Sequence, residues 1–135
     1  MSDKQTDFTP PASTLDSALG ITFELQPDGT ATGTMPITDN VRQPYGIVHG
    51  GAYASLAETV ASAGTFAQVY EDNMVALGMS NQTQFLRSAS EGTITAVGVA
   101  LQSGKTTWVW DVTMSDDDGN VCAVSRMVIA VRPRR

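Results

Sequence analysis

Cysteine and histidine are almost absent from this chain of 135 residues, which contains one of each. A single cysteine, Cys122, cannot form an internal disulfide, and the lack of a second cysteine fits a reducing compartment. The single histidine, His49, has no second imidazole with which to build a metal cluster, and Cys122 and the carboxylates show no ligand spacing. The sequence therefore predicts no structural disulfide and no metal site.

Positive charge is also scarce, since 8 basic side chains face 14 acidic ones and the net charge is -6. A chain of this sign repels polyanions at long range, so we expect no nucleic-acid partner. The first twenty residues contain no long apolar run, which predicts no secretory signal. A cytoplasmic location is the expectation that follows.

The length fits one domain, and a content of 41% hydrophobic and 16% charged residues is typical of a globular protein. Residues 1–12 are polar and end near Pro10-Pro11, a composition that predicts a flexible N-terminal tail. We therefore predict a single domain over residues 13–135. It is expected to begin with a short helical turn that Gly20 ends.

Residues 49–69 contain no Lys, Arg or Asp, and Glu58 is their only acidic residue. Alanine recurs through this segment and is the strongest helix former. A helix so poor in charge is normally buried, so we predict a long central helix covered on most of its faces. A carboxylate in its middle and many small residues argue against a membrane span.

The remaining segments alternate apolar and polar residues with a period of two, which predicts strands. Two of them flank the turn residues Pro27-Asp28-Gly29 and predict a hairpin; four more follow the helix and predict an antiparallel meander. The predicted strands are Ile21–Gln26, Thr30–Ile37, Met74–Leu86, Thr93–Leu101, Thr107–Met114 and Val121–Val131. This order predicts an α+β fold in which a curved antiparallel sheet wraps around the helix.

Gly50 and Gly51 stand where the long helix is predicted to begin. Unpaired N–H groups and the positive end of the helix dipole could stabilise a carbonyl oxygen that becomes negative, as in an oxyanion hole. The alternative is that the glycines only allow close packing. Glu58 is likewise open to two interpretations, because an unpaired buried charge is costly. It is either a catalytic carboxylate or a helix residue that faces a water-filled interface or pairs with an arginine.

Eight residues separate Gly50 from Glu58, which is about 12 Å along a helix. Groups that act on one carbonyl must lie about 3 Å from it, so one chain can hardly supply both. Two antiparallel helices related by a two-fold axis would bring Glu58 of one subunit to Gly50 of the other. A catalytic role for both residues therefore predicts a homodimer. His49 could act as a base or could hold the loop by hydrogen bonds, and Cys122 is expected to behave as a small hydrophobe.

The helix-entry segment Gln43–Gly51, followed by Ala57-Glu58-Thr59 and Ser62, resembles that of the hotdog-fold acyl-CoA thioesterases of the phenylacetate-degradation type. Among these it is most similar to the group that includes hydroxybenzoyl-CoA and 1,4-dihydroxy-2-naphthoyl-CoA hydrolases. The resemblance runs from about residue 15 to residue 133. The residues that carry it are Gln43–Gly51, Ala57-Glu58-Thr59, Ser62, Phe85–Ala89, Glu91-Gly92, Gly104-Lys105, Trp108–Val112 and Ser125-Arg126.

The resemblance implies hydrolysis of an aromatic or medium-chain acyl-CoA, with Glu58 as nucleophile or general base. It implies that the Gly50 amide binds the thioester oxygen, that Gln43 assists from the same subunit, and that Ser62 orients the carboxylate or water. No cofactor is implied, because CoA is part of the substrate. A tetramer built as a dimer of dimers is implied, and the residues implied to hold the CoA moiety are Arg87, Lys105, Thr106 and Arg126.

One position departs from the family pattern. The 1,4-dihydroxy-2-naphthoyl type tends to carry a histidine two residues before the strand arginine, where this chain has Phe85. The departure weakens assignment to that substrate and leaves the thioesterase expectation unchanged. Two alternatives stay open at this point, a hotdog hydratase or dehydratase and a non-catalytic acyl-CoA-binding protein.

Overall fold

The structure, a computed structural model, describes residues 11–135. Most of the predicted tail, residues 1–10, lies outside the described residues, and the domain boundary at residue 13 stays a prediction. Two short 3-10 turns, Asp39–Val41 and Tyr70–Asp72, flank the long helix. The other elements are α1 (Leu15–Leu19), β1 (Thr22–Leu25), β2 (Ala31–Pro36), α2 (Gly50–Val69), β3 (Met74–Phe85), β4 (Thr93–Ser103), β5 (Thr107–Ser115) and β6 (Val121–Pro133).

Local chemistry explains the first elements. The Thr14 side chain accepts a hydrogen bond from the Ser17 amide and the Ser17 side chain bonds back, which forms a capping box at the start of α1. Gly20 ends this helix with a φ of 72°, a left-handed conformation that glycine adopts without strain. The predicted hairpin is confirmed, since β1 and β2 pair antiparallel from Thr22↔Thr34 to Leu25↔Ala31.

The six strands form one antiparallel sheet in the order β1-β2-β4-β5-β6-β3. The prediction that the last four strands form a meander in chain order is wrong for β3, which pairs with β6 at the far edge of the sheet. Residues 86–92 connect β3 to β4 and can reach about 23 Å, whereas three strand spacings amount to about 14 Å. The connection is thus long enough to cross two strands, and β4 pairs with β2 instead.

The sheet curves around α2, as the α+β hotdog expectation requires, and the two meet through a densely packed core. Trp110, Val112 and Met114 of β5 point inward and are fully or almost fully buried, as their alternation predicts. The Trp110 ring lies so close to Gly64 of α2 that a Cβ there would come within 2.5 Å of it. A glycine at this position lets the helix approach the sheet closely.

The prediction that α2 is covered on most faces is wrong for the single chain. The face toward the sheet is buried, with Leu56 and Val60 at 0% exposure. The opposite face is only half-buried and carries Ser55, Thr59 and Ser62, with Glu58 exposed among them. The sheet wraps one side of the helix only, so a segment without basic residues still presents one face outward. No helix within residues 11–135 is long and apolar enough to cross a membrane.

Candidate active site

The start of α2 is fixed by His49, which occupies the N-cap position. Its Nδ1 accepts a hydrogen bond of 2.8 Å from the Gly51 amide, and its own N–H donates to the Val41 carbonyl over 2.8 Å. The loop-holding alternative for His49 thus has direct support. Within the described residues, the Gly50 N–H has no hydrogen-bond acceptor.

Phe85, at the end of β3, covers this helix start. A Cβ on Gly50 would lie 2.8 Å from Cζ of Phe85. The Phe85 ring also contacts Tyr53, one turn into the helix, with ring centroids 6.2 Å apart. Two aromatic rings therefore form an apolar wall beside the free Gly50 amide.

Glu58 lies over the other half of β3. A Cβ on Gly78 would come within 3.3 Å of the Glu58 carboxyl carbon, so the glycine leaves room for the acid to rest on the strand. The Asn81 amide nitrogen lies 3.4 Å from Oε1 of Glu58. The expectation of a buried Glu58 is wrong for the single chain, because the residue is exposed. The reason is that Glu58 projects from the face of α2 that the sheet leaves uncovered.

A groove of about 1280 Å³ runs along this uncovered face. Its floor is α2 and its walls are α1 with β1 on one side and β3 on the other. Thr59 Oγ1 donates to Oδ1 of Asp16 over 2.6 Å and thereby ties α1 to the floor. Ser62 lies in the groove one turn after Glu58. The lining residues used below are Phe23, Ser55, Glu58, Ser62, Phe66 and Asn81.

Gly50 and Glu58 belong to one uninterrupted helix, so the separation of about 12 Å expected from the sequence holds in the structure. Helix α2 and strand β3 run antiparallel, with Gly50 against Phe85 and Glu58 against Gly78. One chain therefore does not bring the acid and the helix-start amide to a common point. The separation of Gly50 and Glu58 that led to the prediction of a two-fold arrangement is therefore present in the chain.

Gln43 lies in a tight loop just before the helix. Its N–H donates to the Ile47 carbonyl over 2.9 Å, and its side-chain oxygen accepts from the Tyr45 amide. The loop is closed by a bridge between Arg42 and Val48. The side-chain oxygen of Gln43 is thus engaged in the loop of its own chain.

The four residues expected to hold CoA lie apart in one chain. Arg87 follows β3 near the Asp116 turn, while Lys105 and Thr106 form the turn before β5 at the opposite end of the sheet. The length of β5 separates them, which is about 26 Å. Arg126 lies on the outer face of the sheet and forms an ion pair with Asp111, with 3.3 Å between Nη2 and Oδ2. This bond raises the pKa of Arg126 above its ordinary value.

Two features were missed in the sequence. The first is a row of polar side chains, Asn81, Thr83 and Ser125, that leads across β3 and β6 to Glu58. The sequence could have indicated this row, because Asn81 and Thr83 stand at inward-facing positions of β3, where alternation would place apolar residues. The second is the Tyr53 hydroxyl, which is buried and has no hydrogen-bond partner among the residues that the structure describes.

Comparisons with known proteins agree with this architecture. The Thioesterase superfamily matches residues 45–123. The chain is 33% identical to a 1,4-dihydroxy-2-naphthoyl-CoA hydrolase of Listeria monocytogenes over 90% of its length and 98% of that protein. It is 36% identical to the protein of the same name from Escherichia coli, over 84% of the chain and 82% of that protein. The crystal structure of a mutant of thioesterase PA1618 from Pseudomonas aeruginosa superposes with a TM-score of 0.85 at 35% identity, covering 89% of this chain and 86% of that one.

Proposed function

Because the chain belongs to the Thioesterase superfamily and has its hotdog fold, we propose that it hydrolyses an aromatic or medium-chain acyl-CoA to the free acid and CoA. The observation that carries the proposal is the position of Glu58. It is the one acidic residue of α2, and it projects into a groove whose floor is otherwise made of uncharged side chains, either apolar or bearing a hydroxyl. Phe23 and Phe66 in the same groove offer aromatic surface to an acyl group.

Glu58 has two possible roles in this reaction. As a general base it removes a proton from water, whose oxygen attacks the thioester carbon while the C–S bond breaks and the CoA thiolate takes up a proton. As a nucleophile it attacks the carbon itself, and water then hydrolyses the resulting anhydride. In both cases the carbonyl oxygen becomes negative, and the free Gly50 N–H is the donor that stabilises it. Ser62 then orients the carboxylate or the water, and Gln43 assists near the carbonyl.

The proposed site needs a second copy of the chain. Gly50 and Glu58 stand about 12 Å apart on one rigid helix, so an antiparallel partner helix must supply the other group. Strand β3 supports such a dimer, because its 12 residues form an edge of the sheet with a row of unpaired backbone groups. Leu77 and Met79 on this edge are more than half exposed. Pairing of two β3 strands would cover them and would set the two α2 helices side by side.

The outer face of the sheet supports assembly into a tetramer. Val97, Val99 and Leu101 of β4 are between 43% and 54% exposed on that face. An apolar row on an exposed sheet favours contact with another protein surface. A tetramer would also explain how Arg87 and Lys105, far apart in one chain, could hold one CoA molecule from different subunits.

Release of free thiol from aroyl, phenylacetyl, short-chain and long-chain CoA thioesters tests the proposed reaction. We expect turnover with one or more of these substrates and a fall of at least about a hundredfold in Glu58→Ala, with the dimer preserved. Wild-type turnover in that variant would remove Glu58 from the mechanism. Hydration of crotonyl-CoA without thiol release would favour a hydratase, and tight binding without hydrolysis across the panel would favour a non-catalytic acyl-CoA-binding protein.

The shared site is tested separately by mixing two variants, Glu58→Ala and Gln43→Ala, each of which we expect to lose most of its activity. If Glu58 and Gln43 of one site come from different subunits, a mixed dimer has one intact site. Random exchange of subunits would then restore about a quarter of wild-type activity. If both residues of a site came from one chain, each chain would carry one defect and mixing would restore nothing.

A further inference from the structure

We propose that Asn81, Thr83 and Ser125 form a hydrogen-bonded relay that positions the Glu58 carboxylate for catalysis. The inference rests on the proposed function of Glu58 and adds three positioning residues to it. We call these three residues the β3 relay. It starts from Ser125, which is 4% exposed, and it ends at the groove.

The orientation of Asn81 is fixed by its partners. Its Nδ2 donates to the Ala54 carbonyl over 2.9 Å, and a carbonyl oxygen can only accept. The amide nitrogen therefore faces the helix, and its second hydrogen is available to Oε1 of Glu58 at 3.4 Å. Since Ala54 lies one helical turn before Glu58, one amide group contacts both the helix backbone and the acid.

The rest of the relay follows from the direction of its hydrogen bonds. Oδ1 of Asn81 must accept, so Thr83 donates to it over 2.6 Å. The single hydroxyl hydrogen of Thr83 is then used, and Ser125, directly opposite Thr83 in β6, must donate to Thr83 over 2.6 Å. Every donor in the row thus points toward Glu58, the end that accepts.

This polarity fits a negatively charged carboxylate at the end of the relay. Hydrogen bonds in a chain polarise one another, and a donor to a charged group contributes more than one to a neutral group. A long, exposed glutamate side chain also loses rotamer freedom when it is held, so a fixed donor selects one position above Gly78. A carboxylate held in one position is the arrangement that a nucleophile or base needs.

The isosteric variants Asn81→Leu and Thr83→Val test the relay without opening a cavity. We expect kcat to fall about tenfold or more in Asn81→Leu and about threefold in Thr83→Val, with KM within about twofold of wild type, because the substrate does not need the relay to bind. Asn40→Ala is the matched control. Its Nδ2 also donates to a backbone carbonyl, that of Ala18 at 3.1 Å, and it makes no hydrogen bond with Glu58 or with the β3 relay. We expect Asn40→Ala to keep wild-type kcat.

A double-mutant cycle separates positioning from a merely structural role. In the Glu58→Gln background, Asn81→Leu should cause no further loss of kcat, since the group that it positions is gone. The relay would be overturned if Asn81→Leu lowered kcat equally in both backgrounds, or if Asn81→Leu alone kept wild-type kcat. In either case the assignment of Glu58 would stand. Full activity in Glu58→Ala would instead overturn both proposals. The dimer content of each variant, measured by light scattering, identifies losses that come from assembly.

Discussion

The ring of Phe85 lies over Cα of Gly50, so close that a single methyl group on the glycine would come within 2.8 Å of Cζ. This contact joins the last residue of β3 to the first residue of α2 and places an aromatic ring beside the start of the helix. Phe85 itself is 57% exposed, so its ring has room to move away. The site is therefore closed on this side by a side chain that can be displaced.

We expect Gly50→Ala to reduce the free energy of unfolding through its clash with Phe85. The cost should be small, about 1 kcal/mol or less, because the exposed ring can rotate and alanine favours the helix. In a Phe85→Ala background the clash is absent, so Gly50→Ala should cost nothing or stabilise. Urea unfolding of the wild type, both single variants and the double variant measures this difference. Strictly additive changes would contradict the contact.

Much of the fold follows from the sequence because its signals are local. The segment with a single charged residue predicts α2 to within one residue of its observed start at Gly50, since a capping histidine and two glycines mark the same boundary. The six strands are found where alternation places them. The position of β3 at the sheet edge could not be predicted, because alternation defines a strand and its faces but not its neighbours.

The sequence indicated individual residues of the candidate site but neither their exposure nor their neighbours in the fold. Glu58 stands out in the sequence because a lone acid among alanines is visible without any coordinates. Its exposure was not foreseen, since a low charge content indicates that a helix is covered but not what covers it. The β3 relay depends on which residue of β6 faces Thr83, a register that only the folded sheet defines.

The edge of β3 gives the clearest test of assembly. We expect the double variant Leu77→Lys/Met79→Lys to be monomeric and inactive, because charge on an edge strand opposes pairing and the proposed site needs two chains. The matched control, Val97→Lys/Val99→Lys, puts the same charge on the outer sheet face and should yield dimers that no longer form tetramers. These dimers should keep kcat but show a higher KM for acyl-CoA, because the residues proposed to hold CoA would no longer meet across the tetramer. Light scattering and the thiol-release assay measure both variants. An active monomer would contradict the shared site.

Acid should weaken the turn between β5 and β6 through Asp116. Its carboxylate accepts hydrogen bonds from the Asn120 amide at 2.9 Å and from the Asp118 amide at 3.0 Å, and chiefly the Asn120 bond lowers the pKa of Asp116 below 3.8. The unfolded state therefore binds the proton more readily than the folded state. The stability that the Asp116 carboxylate contributes is present above about pH 4. It is lost as the pH falls through the lower pKa that Asp116 has in the folded state.

Comparison of urea midpoints at pH 5 and pH 3 measures this effect. Asp116→Asn should lose less stability over that interval than the wild type, because it has no proton to take up at this position. Asp118→Asn is the control in the same turn, since the Asp118 carboxylate accepts no hydrogen bond from the described residues. An equal pH dependence in Asp116→Asn and the wild type would refute a stabilising role for the Asp116 carboxylate.

The buried hydroxyl of Tyr53 should reduce stability, and increasingly so in alkali. The residue is 3% exposed, and within residues 11–135 its hydroxyl has no hydrogen-bond partner of ordinary geometry, since the neighbouring Cys122 thiol is only a weak one. Removal of an unsatisfied buried group by Tyr53→Phe should leave stability unchanged or raise it by about 1 kcal/mol.

Burial, with a smaller effect of the neighbouring Cys122, raises the pKa of Tyr53 above its ordinary 10.0. The folded chain thus keeps this proton at a pH where the unfolded chain releases it, so wild-type stability falls as the pH rises above about 10. Tyr53→Phe lacks this loss, and its advantage over the wild type should grow between pH 8 and pH 11 in urea unfolding. Tyr45→Phe is the control, because Tyr45 is 91% exposed, and it should show no such advantage. A loss of stability in Tyr53→Phe at neutral pH would mean that the Tyr53 hydroxyl has a hydrogen-bond partner.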